Sequence, residues 1–456
     1  MFPVLFPDLT LDSGIGFGIC QRLICDFLTS RSLSSQLVLI PTARSETKSR
    51  ETVTALRKHC REIAETSAAL RSRAGPNYDP RDTTKRIHIL SVQLDLCNLP
   101  SIHKTAQKLA NGTVTSECDD GFFESLVDVQ IPRLDSVILN AGIGGWTGLD
   151  WPLLTHQILT KGIIQAVTWP TFKAATLGHK VNPLPNSKGA DDSATTPMLG
   201  EVFCANVFGH YITAHALLPL LSRPQDSSTP PGRIIWESSI EGAWDSFSLA
   251  DFQAIKTGAA YESTKRLTDL LALTANLPAA RPYSSAYLNA DKSTATTPPK
   301  IYLTHPGVVV TTLFPLNAFL FFWYRIILYV ARLLGSPWHP IAAYKGSCAP
   351  VWLALQDQAA LDASRADRVK WGTCTDRSGR EAVKKSEVEG WGWEGRVEDR
   401  AKIAAEDRGA GVLGRLVGRK SGAVDLTEEK REEFEAVGAE CWREMERLRK
   451  EWEARL

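Results

Sequence analysis

Two side chains that could take part in proton transfer lie one helical turn apart in the segment 261-YESTKRLTDLL-271. Tyr261 and Lys265 are four residues apart, so they share one face of the helix that the leucine spacing predicts. A phenol titrates near ~10, too high for free proton exchange at neutral pH, and a nearby cation lowers that value. The pair is therefore a candidate proton donor with its modulator, although this spacing is also common on ordinary helix surfaces.

Other candidate residues lie where predicted strands end. Helical patterns alternate with short apolar runs, which occupy residues 36–44, 87–96, 135–142, 233–240 and 301–311. This alternation predicts an α/β fold of Rossmann type, a doubly wound parallel sheet with helices on both faces. Ligands bind beyond the carboxyl ends of such strands, which gives functional weight to the residues there: Arg44, Asp95, Asn140, Ser239 and Pro306.

Glycines near the N-terminus indicate a dinucleotide site. The segment 13-SGIGFG-18 opens a helical pattern, where glycine lets the backbone approach a pyrophosphate and the helix N-terminus supplies N–H donors. Arg44 ends the next strand run, and an arginine there favours a ribose 2′-phosphate, whereas an acid would bind the 2′-hydroxyl. The predicted cofactor is NADPH, with Lys48 as a second candidate cation. A short glycine cluster and a solvated strand-end arginine also occur without any cofactor.

Ser239 extends the candidate proton-transfer site, because its hydroxyl is suited to hydrogen-bond a ketone oxygen. If a ketone lies between Ser239 and Tyr261, the nicotinamide supplies hydride to carbon and Tyr261 delivers the proton to oxygen. The protein would then position the ketone and polarise its carbonyl group, while the cofactor supplies the hydride.

Together these residues resemble the short-chain dehydrogenase/reductase family. Its motifs correspond here to 13-SGIG-16, Asp95, 140-NAG-142, Asn206, Ser239, 261-YESTK-265 and 306-PGVVVT-311. The resemblance implies that Tyr261 is the acid/base, that Lys265 lowers its pKa and holds the nicotinamide ribose, that Ser239 orients the carbonyl, and that Asn206 supports a proton-relay water. It also implies cofactor contacts from Ser13, Gly14, Ile15, Gly16, Arg44, Lys48, Asp95, Asn140, Tyr261, Lys265, Val309 and Thr311.

Further stretches resemble the sterol 3-ketone reductase branch of that family, among them 148-GLDW-151, 200-GEVFCANVFGHY-211, 235-IWESSI-240 and 331-ARLLGSPWH-339. This resemblance implies NADPH-dependent reduction of the 3-ketone of a sterol intermediate to a 3β-hydroxyl, during C-4 demethylation in ergosterol synthesis. It implies three partners: a sterol 3-ketone substrate, a membrane surface and the other C-4 demethylation enzymes. The implied location is the cytosolic face of the endoplasmic reticulum membrane or the lipid droplet.

Departures from the family pattern leave alternatives open. The segment 9-LTLD-12 replaces a Thr-Gly pair, and 1-MFPVLFPD-8 is a poor version of the usual first strand. We expect the true first strand to be absent from this chain, or else cofactor binding to be weakened. The gap between Ser239 and Tyr261 is longer than in the broad family. The alternatives to a sterol reductase are a reductase of another lipophilic carbonyl and a catalytically inactive scaffold of the sterol-enzyme complex.

The most hydrophobic segment is 313–335, directly after the Pro-Gly motif. Asn317, Arg325 and Arg332 interrupt it, and a central arginine is costly in a spanning helix. We favour a helix lying in the membrane interface over a buried or lid helix, and both over a true span. We place an NADP-binding domain at 1–355 and a charged, partly helical extension at 356–456, whose last helix packs on the domain or docks a partner.

Composition argues against several other classes of protein. The 52 lysines and arginines nearly balance the 51 acidic residues, so nothing indicates a nucleic-acid binder. Nine scattered cysteines without a CxxC motif fit free thiols in a reducing compartment. The histidines have no metal-ligand spacing, so no metal site is predicted, and His339 is expected to be structural. The polar stretches 181–197 and 279–300 are expected to be exposed, poorly ordered loops.

Overall fold

The computed structural model describes residues 2–6, 14–118, 120–185, 197–289, 296–311 and 316–456. Its strands are β1 (Phe2–Phe6), β2 (Leu37–Ala43), β3 (Ile87–Ile89), β4 (Val92–Gln93), β5 (Val114–Ser116), β6 (Leu126–Val129), β7 (Ser136–Leu139), β8 (Trp146–Leu149), β9 (Lys173–Ala175), β10 (Lys180–Val181), β11 (Leu199–Gly200), β12 (Arg223–Pro224), β13 (Arg233–Glu237), β14 (Thr296–Thr297), β15 (Lys300–His305), β16 (Lys370–Thr375) and β17 (Glu381–Ser386).

The α-helices are α1 (Ile15–Ser30), α2 (Glu46–Thr66), α3 (Ala68–Ala74), α4 (Pro80–Thr84), α5 (Leu99–Asn111), α6 (Trp151–Thr168), α7 (Glu201–Phe203), α8 (Gly209–Ala216), α9 (Leu218–Leu221), α10 (Ala260–Thr274), α11 (Arg281–Leu288), α12 (Ala318–Leu333), α13 (Ala343–Gly346), α14 (Cys348–Leu355), α15 (Gln358–Ala363), α16 (Arg400–Glu406) and α17 (Glu428–Glu453).

The main sheet has the order β17-β16-β15-β13-β7-β1-β2-β3, and β4 also pairs with β2. Its strands run parallel except where β17 pairs with β16. Every residue of β2, β7 and β13 is buried, as expected when helices cover both faces of a parallel sheet. The predicted doubly wound α/β fold is confirmed. The strand order reverses between β1 and β7, where such sheets form a ligand crevice.

The first strand corrects one expectation. Residues 2–6 form β1 in the middle of the sheet, where Val4 is fully buried and pairs with Leu39 of β2 and Ser136 of β7. The short apolar run therefore suffices for a central strand, and the expectation that the first strand is missing is wrong. The cofactor loop that follows, residues 7–13, lies outside the described residues, and so does the predicted contact of Ser13.

The polar stretch 279–300 is more ordered than expected. It contains α11, in which Ser284 and Tyr287 are buried, and β14, which pairs with β12. Tyr287 stacks on Tyr211 at 4.1 Å between ring centroids, and this packing outweighs the loop-forming composition. Residues 290–295 and 186–196 lie outside the described residues.

The chain beyond residue 355 contributes to the same sheet and core. β16 pairs with β15, so the boundary drawn at 355 does not separate two sheets. α17 begins at a Thr427 cap and packs its buried Phe434, Trp442 and Met445 into the main core. The indole of Trp442 donates to the carbonyl of Leu271 on α10 at 3.0 Å. Of the two alternatives for the last helix, packing on the domain is the arrangement found.

The hydrophobic segment forms α12, with Asn317 as its N-cap. Its apolar side chains are not all buried: Phe319 is 70% exposed, Phe322 57% and Leu333 62%. Among the described residues, no helix combines the length and the apolar character needed to cross a bilayer.

Candidate active site

The catalytic pair predicted from sequence lies on α10, which is buried along most of its length. Tyr261 is in the first turn and Lys265 follows one turn later, with its side chain buried. The Lys265 ammonium lies 5.5 Å from the centre of the Tyr261 ring and donates to the backbone carbonyl of Glu237 at 2.8 Å. The side chain of Lys265 therefore connects α10 to the carboxyl end of β13.

Ser239 follows β13 and faces Tyr261 closely enough for a hydrogen bond that lowers the pKa of the phenol. The Ser239 hydroxyl also accepts from the backbone N–H of Glu241 at 3.2 Å. Behind it, Lys370 of β16 donates to the Ser239 carbonyl and to Asp269, both at 2.6 Å. Asp269 is one turn beyond Lys265 on α10, so a buried ion pair fixes the serine loop against the catalytic helix.

Asn206 lies in a π-helical turn, Cys204–Phe208, between α7 and α8. Its side chain accepts from the N–H of Ile143 at 2.7 Å and donates to the carbonyl of the same residue at 3.0 Å. It also donates to the hydroxyl of Thr264 on α10 at 3.1 Å. Gly142 lies against it, and an added Cβ there would lie 2.9 Å from the Asn206 amide oxygen and displace it. Asn206 thus joins the end of β7 to the catalytic helix, and π-turns of this kind are frequent at functional sites.

The pKa of the Tyr261 phenol is raised, and the largest cause is burial. The carboxylates of Glu241, Glu262 and Glu237 raise it further. Lys265, which the resemblance implies lowers this pKa, is directed to the Glu237 carbonyl in this structure, and its role at the phenol stays a prediction. Burial also lowers the pKa of Lys265 to about 8 and raises that of Glu237 to about 8.

A second lysine lies at the same tyrosine, and no sequence motif predicts it. Lys173 of β9 forms ion pairs with Glu262 at 2.6 Å and with Glu241, and its own side chain is only 8% exposed. Its ammonium lies 5.3 Å from the centre of the Tyr261 ring and 4.0 Å from that of Trp146. Trp146 in turn packs on Tyr261, with 4.7 Å between the ring centroids.

The described candidate cofactor residues lie along the carboxyl edge of the sheet. Gly14 is the N-cap of α1, Ile15 is its first residue, and Gly16 is buried. Gly14 has no side chain that could cap the helix, so the first-turn N–H groups suit a pyrophosphate. Arg44 follows β2 and is exposed, as is Lys48 in the first turn of α2.

The other candidates follow later strands. Asp95 lies after β4, where its carboxylate accepts from the N–H of Cys97 at 2.9 Å. Asn140 follows β7 directly. Val309 forms an isolated parallel bridge with Ile341, and Thr311 follows it. Each of these residues follows the carboxyl end of a strand, as Ser239 does, and a dinucleotide binds at that edge of such a sheet.

A cavity of about 490 Å³ opens beside the catalytic helix. Lys173, Glu241, Glu262 and Ala259 line it, and so do Gln157 and Lys161 of α6 and Lys420 from the C-terminal region. The C-terminal region therefore lines this cavity as well as supporting the core. His339 has the structural role expected of it: it is fully buried, bonds the Ser336 hydroxyl at 2.8 Å, and has a pKa lowered by burial to about 3.

The parallel sheet and the set formed by Asn206, Ser239, Tyr261 and Lys265 define an oxidoreductase of the short-chain dehydrogenase/reductase class. Over 447 residues the chain is 48% identical to the 3-keto-steroid reductase of Gibberella zeae. The aligned region covers 97% of this chain and 92% of that protein. It is 39% identical over 463 residues to the 3-keto-steroid reductase of Aspergillus fumigatus, with 98% and 93% covered. The chain belongs to the family of fungal 3-keto-steroid reductases.

Other comparisons are weaker. No family model matches the chain. A short-chain type dehydrogenase/reductase from Mycobacterium ulcerans is 14% identical, with a TM-score of 0.37, and covers 79% of this chain and 84% of its own. A short-chain dehydrogenase/reductase from Burkholderia phymatum, in complex with NAD, is 14% identical with a TM-score of 0.35, at 80% and 92% coverage. The assignment of the fold rests on the sheet itself.

Proposed function

We propose that this chain uses NADPH to reduce the 3-keto group of a sterol intermediate to a 3β-hydroxyl, in the C-4 demethylation steps of ergosterol synthesis. The observation that carries the proposal is the pairing of the Ser239 and Tyr261 hydroxyls at the carboxyl edge of the sheet, beside a cavity. The 48% identity to a named 3-keto-steroid reductase supports the choice of substrate.

In the proposed reaction the bound nicotinamide supplies a hydride to the carbonyl carbon. Ser239 donates a hydrogen bond to the ketone oxygen and orients it, and Tyr261 delivers a proton to that oxygen as it becomes an alkoxide. The raised pKa of Tyr261 keeps the phenol protonated at neutral pH, as a proton donor requires. Lys265 and Asn206 hold the catalytic helix against the ends of β13 and β7.

The choice of NADPH over NADH rests on Arg44. Its side chain is exposed at the carboxyl end of β2, where a cation favours a 2′-phosphate, and Lys48 lies in the first turn of the helix that follows. An Arg44→Glu variant should therefore lose much of its preference for NADPH. The measurement is kcat/KM for NADPH and NADH with the same sterol ketone, and an unchanged ratio would remove Arg44 from the cofactor site.

The protein also docks on a membrane surface in this proposal. Helix α12 exposes Phe319, Phe322 and Trp323, and it packs against α6, which exposes Trp151 and Leu159. Each such side chain contributes roughly 1.5–3 kcal/mol when it is fully removed from water. Burial, and then the nearby carboxylate of Glu241, raise the pKa of the Tyr324 phenol on α12, so this helix adjoins the candidate site. A sterol would then reach the site directly from the lipid.

Flotation with liposomes tests the docking. The Phe319→Ser/Phe322→Ser/Trp323→Ser variant should remain at the bottom of the gradient while the native chain floats. The matched control, Leu33→Ser/Val127→Ser, changes side chains that are also more than half exposed but lie elsewhere. Equal flotation of all three proteins would exclude α12 as the docking surface.

The location that goes with this proposal is the cytosolic face of the endoplasmic reticulum or the lipid droplet, beside the other C-4 demethylation enzymes. The sequence resemblance described above supports it. Fluorescence microscopy of the tagged full chain, followed by co-purification with those enzymes, tests both parts. A uniformly diffuse protein without these partners would contradict them.

The reaction itself is tested with the 3-keto sterol cholestanone and NADPH. Tyr261→Phe should lower kcat roughly 10²- to 10⁴-fold, the usual range for losing an acid catalyst. Tyr283→Phe, on α11, should leave kcat unchanged. Full activity of Tyr261→Phe would refute the mechanism. A native chain that prefers a non-sterol ketone would favour the alternative lipophilic-carbonyl reductase, and one that reduces no ketone would favour the scaffold.

A further inference from the structure

Tyr261 has a cation on each of two elements: Lys265 on its own helix and Lys173 on β9. The two ammonium groups lie 5.5 Å and 5.3 Å from the centre of the ring. We propose that Lys173 is a positioning residue of the reductase site, which neutralises the two carboxylates beside Tyr261 and holds the ring in place. This inference rests on the proposed reductase function, and it adds a residue that the catalytic motifs do not contain.

The first argument is the charge around the phenol. Glu241 lies two residues after Ser239, and Glu262 directly follows Tyr261, so the catalytic motifs themselves bring two carboxylates to the ring. Lys173 forms ion pairs with both carboxylates, and among the described residues Glu241 has no other ion pair. Without Lys173, two partly buried carboxylates would face each other next to a tyrosine that must become a phenolate after it gives up its proton. Negative charges close to the phenol strongly oppose its conversion to the phenolate.

The second argument is mechanical. β9 pairs with β8, with Lys173 opposite Leu149, and β8 carries Trp146. The Trp146 ring lies 4.7 Å from the Tyr261 ring and 4.0 Å from the Lys173 ammonium, so the three groups contact one another. Lys173 therefore joins the paired strands β8 and β9 to the serine loop through Glu241 and to α10 through Glu262. Loss of the lysine should loosen the tryptophan that fixes the ring.

The third argument is the state of Lys173 itself. Burial alone would lower its pKa, but attraction by Glu241 and Glu262 outweighs burial and raises it, so the side chain stays charged. Burial raises the pKa of Glu241 to about 7 despite the lysine. The ionisable groups that face the phenol or its neighbours come from five elements: Glu237 of β13, Glu241 of the loop after it, Glu262 and Lys265 of α10, Lys173 of β9, and Tyr324 of α12.

The test compares Lys173→Met, Lys173→Arg and the neutral triple variant Lys173→Met/Glu241→Gln/Glu262→Gln, all in the full chain. Reduction of cholestanone by NADPH gives kcat and KM, and oxidation of cholestanol by NADP gives the pH at which Tyr261 ionises. Lys173→Met should lower kcat roughly 10- to 100-fold with KM for NADPH unchanged, and should raise the apparent pKa of oxidation by about one to two pH units. Lys173→Arg should keep the native profile.

The triple variant separates charge from packing, because it removes the carboxylates along with the lysine. It should return the apparent pKa of oxidation to within about half a unit of the native value. If Lys173→Met does not fold, the triple variant and Lys173→Arg decide the question by the same readout. Lys58→Met is the control, since Lys58 is 77% exposed and pairs with Glu62 at 3.9 Å far from any catalytic motif.

Two results would overturn the inference: a Lys173→Met profile that matches the native one, or a triple variant whose profile stays displaced. Absence of cholestanone reduction by the native chain would be a different result, since it would refute the proposed function whatever Lys173 does.

Discussion

The buried ion pair behind Ser239 allows the effect of burial on an ion pair to be measured within one protein. Lys370 and Asp269 approach to 2.6 Å, and their side chains are 4% and 1% exposed. Lys300 and Asp362 approach to the same 2.6 Å, but their side chains are 36% and 49% exposed. The two pairs share residue types and distance, and they differ in access to water.

Removing the lysine should have very different consequences in the two pairs. Lys370→Met leaves the Asp269 carboxylate buried, with the Ser238 hydroxyl at 2.6 Å as its remaining donor among the described residues. Breaking a buried pair in this way costs about 3–5 kcal/mol of unfolding free energy. Lys300→Met should cost about 1 kcal/mol or less, because water solvates the remaining carboxylate.

The assay is urea unfolding at neutral pH on the native chain, the two single variants and the double variant Lys370→Met/Asp269→Leu. Replacing both members of a buried pair with apolar groups is often nearly neutral, so the double variant should recover most of the loss. If Lys370→Met were no more destabilising than Lys300→Met, or if the double variant were at least as unstable as Lys370→Met alone, the reasoning from burial would be refuted.

Three further predictions concern other buried groups. Burial raises the pKa of Glu237 from 4.5 to about 8, so this group's contribution to stability is complete below pH 4.5 and is lost as pH rises towards 8. Glu237→Gln should therefore gain roughly 2–4 kcal/mol on the native chain between pH 5 and pH 8, and a constant difference in unfolding curves would contradict this. Gly18→Ala should lower Tm although alanine favours helices, because its Cβ would lie 2.6 Å from a backbone atom of α13; Gly148→Ala, with no atom within 4 Å, is the control. Trp442→Ala should cost about 3–5 kcal/mol in urea unfolding, whereas Trp151→Ala at a half-exposed site should cost far less, and equal losses would refute the packing argument.

Much of the sheet could be predicted from the sequence, because buried parallel strands are continuous apolar runs. The run 233–240 contains β13, and the first part of the run 301–311 lies in β15. The run 87–96 predicts one strand but forms two short ones, β3 and β4, which both pair with β2. Helix α11 was missed because its serines and proline are typical of loops, while its stability comes from aromatic stacking with a distant helix.

The candidate catalytic residues could be proposed from motif spacing, but their electrostatics could not. The pKa of Tyr261 depends on burial and on the carboxylate of Glu241, neither of which is encoded in a four-residue spacing. The role of Lys173 could not be predicted for a different reason. Lys173 reaches Tyr261 only because β9 pairs with β8 in the folded protein. A lysine in an insertion gives no local signal of the partner that tertiary structure will bring to it.

The C-terminal helix has a consequence for how the protein is made. The apolar face of α10 is complete once Thr274 has been synthesised, yet the residues of α17 that cover it begin at Glu428, roughly 150 residues later. At about 5–20 residues per second, the ribosome needs roughly 8–30 s to supply them. During that interval the face of α10 that α17 later covers is an exposed apolar surface. Nascent chains should therefore depend on chaperones late in translation, and stalled or shortened products should be cleared by proteases rather than persist as partly active enzyme.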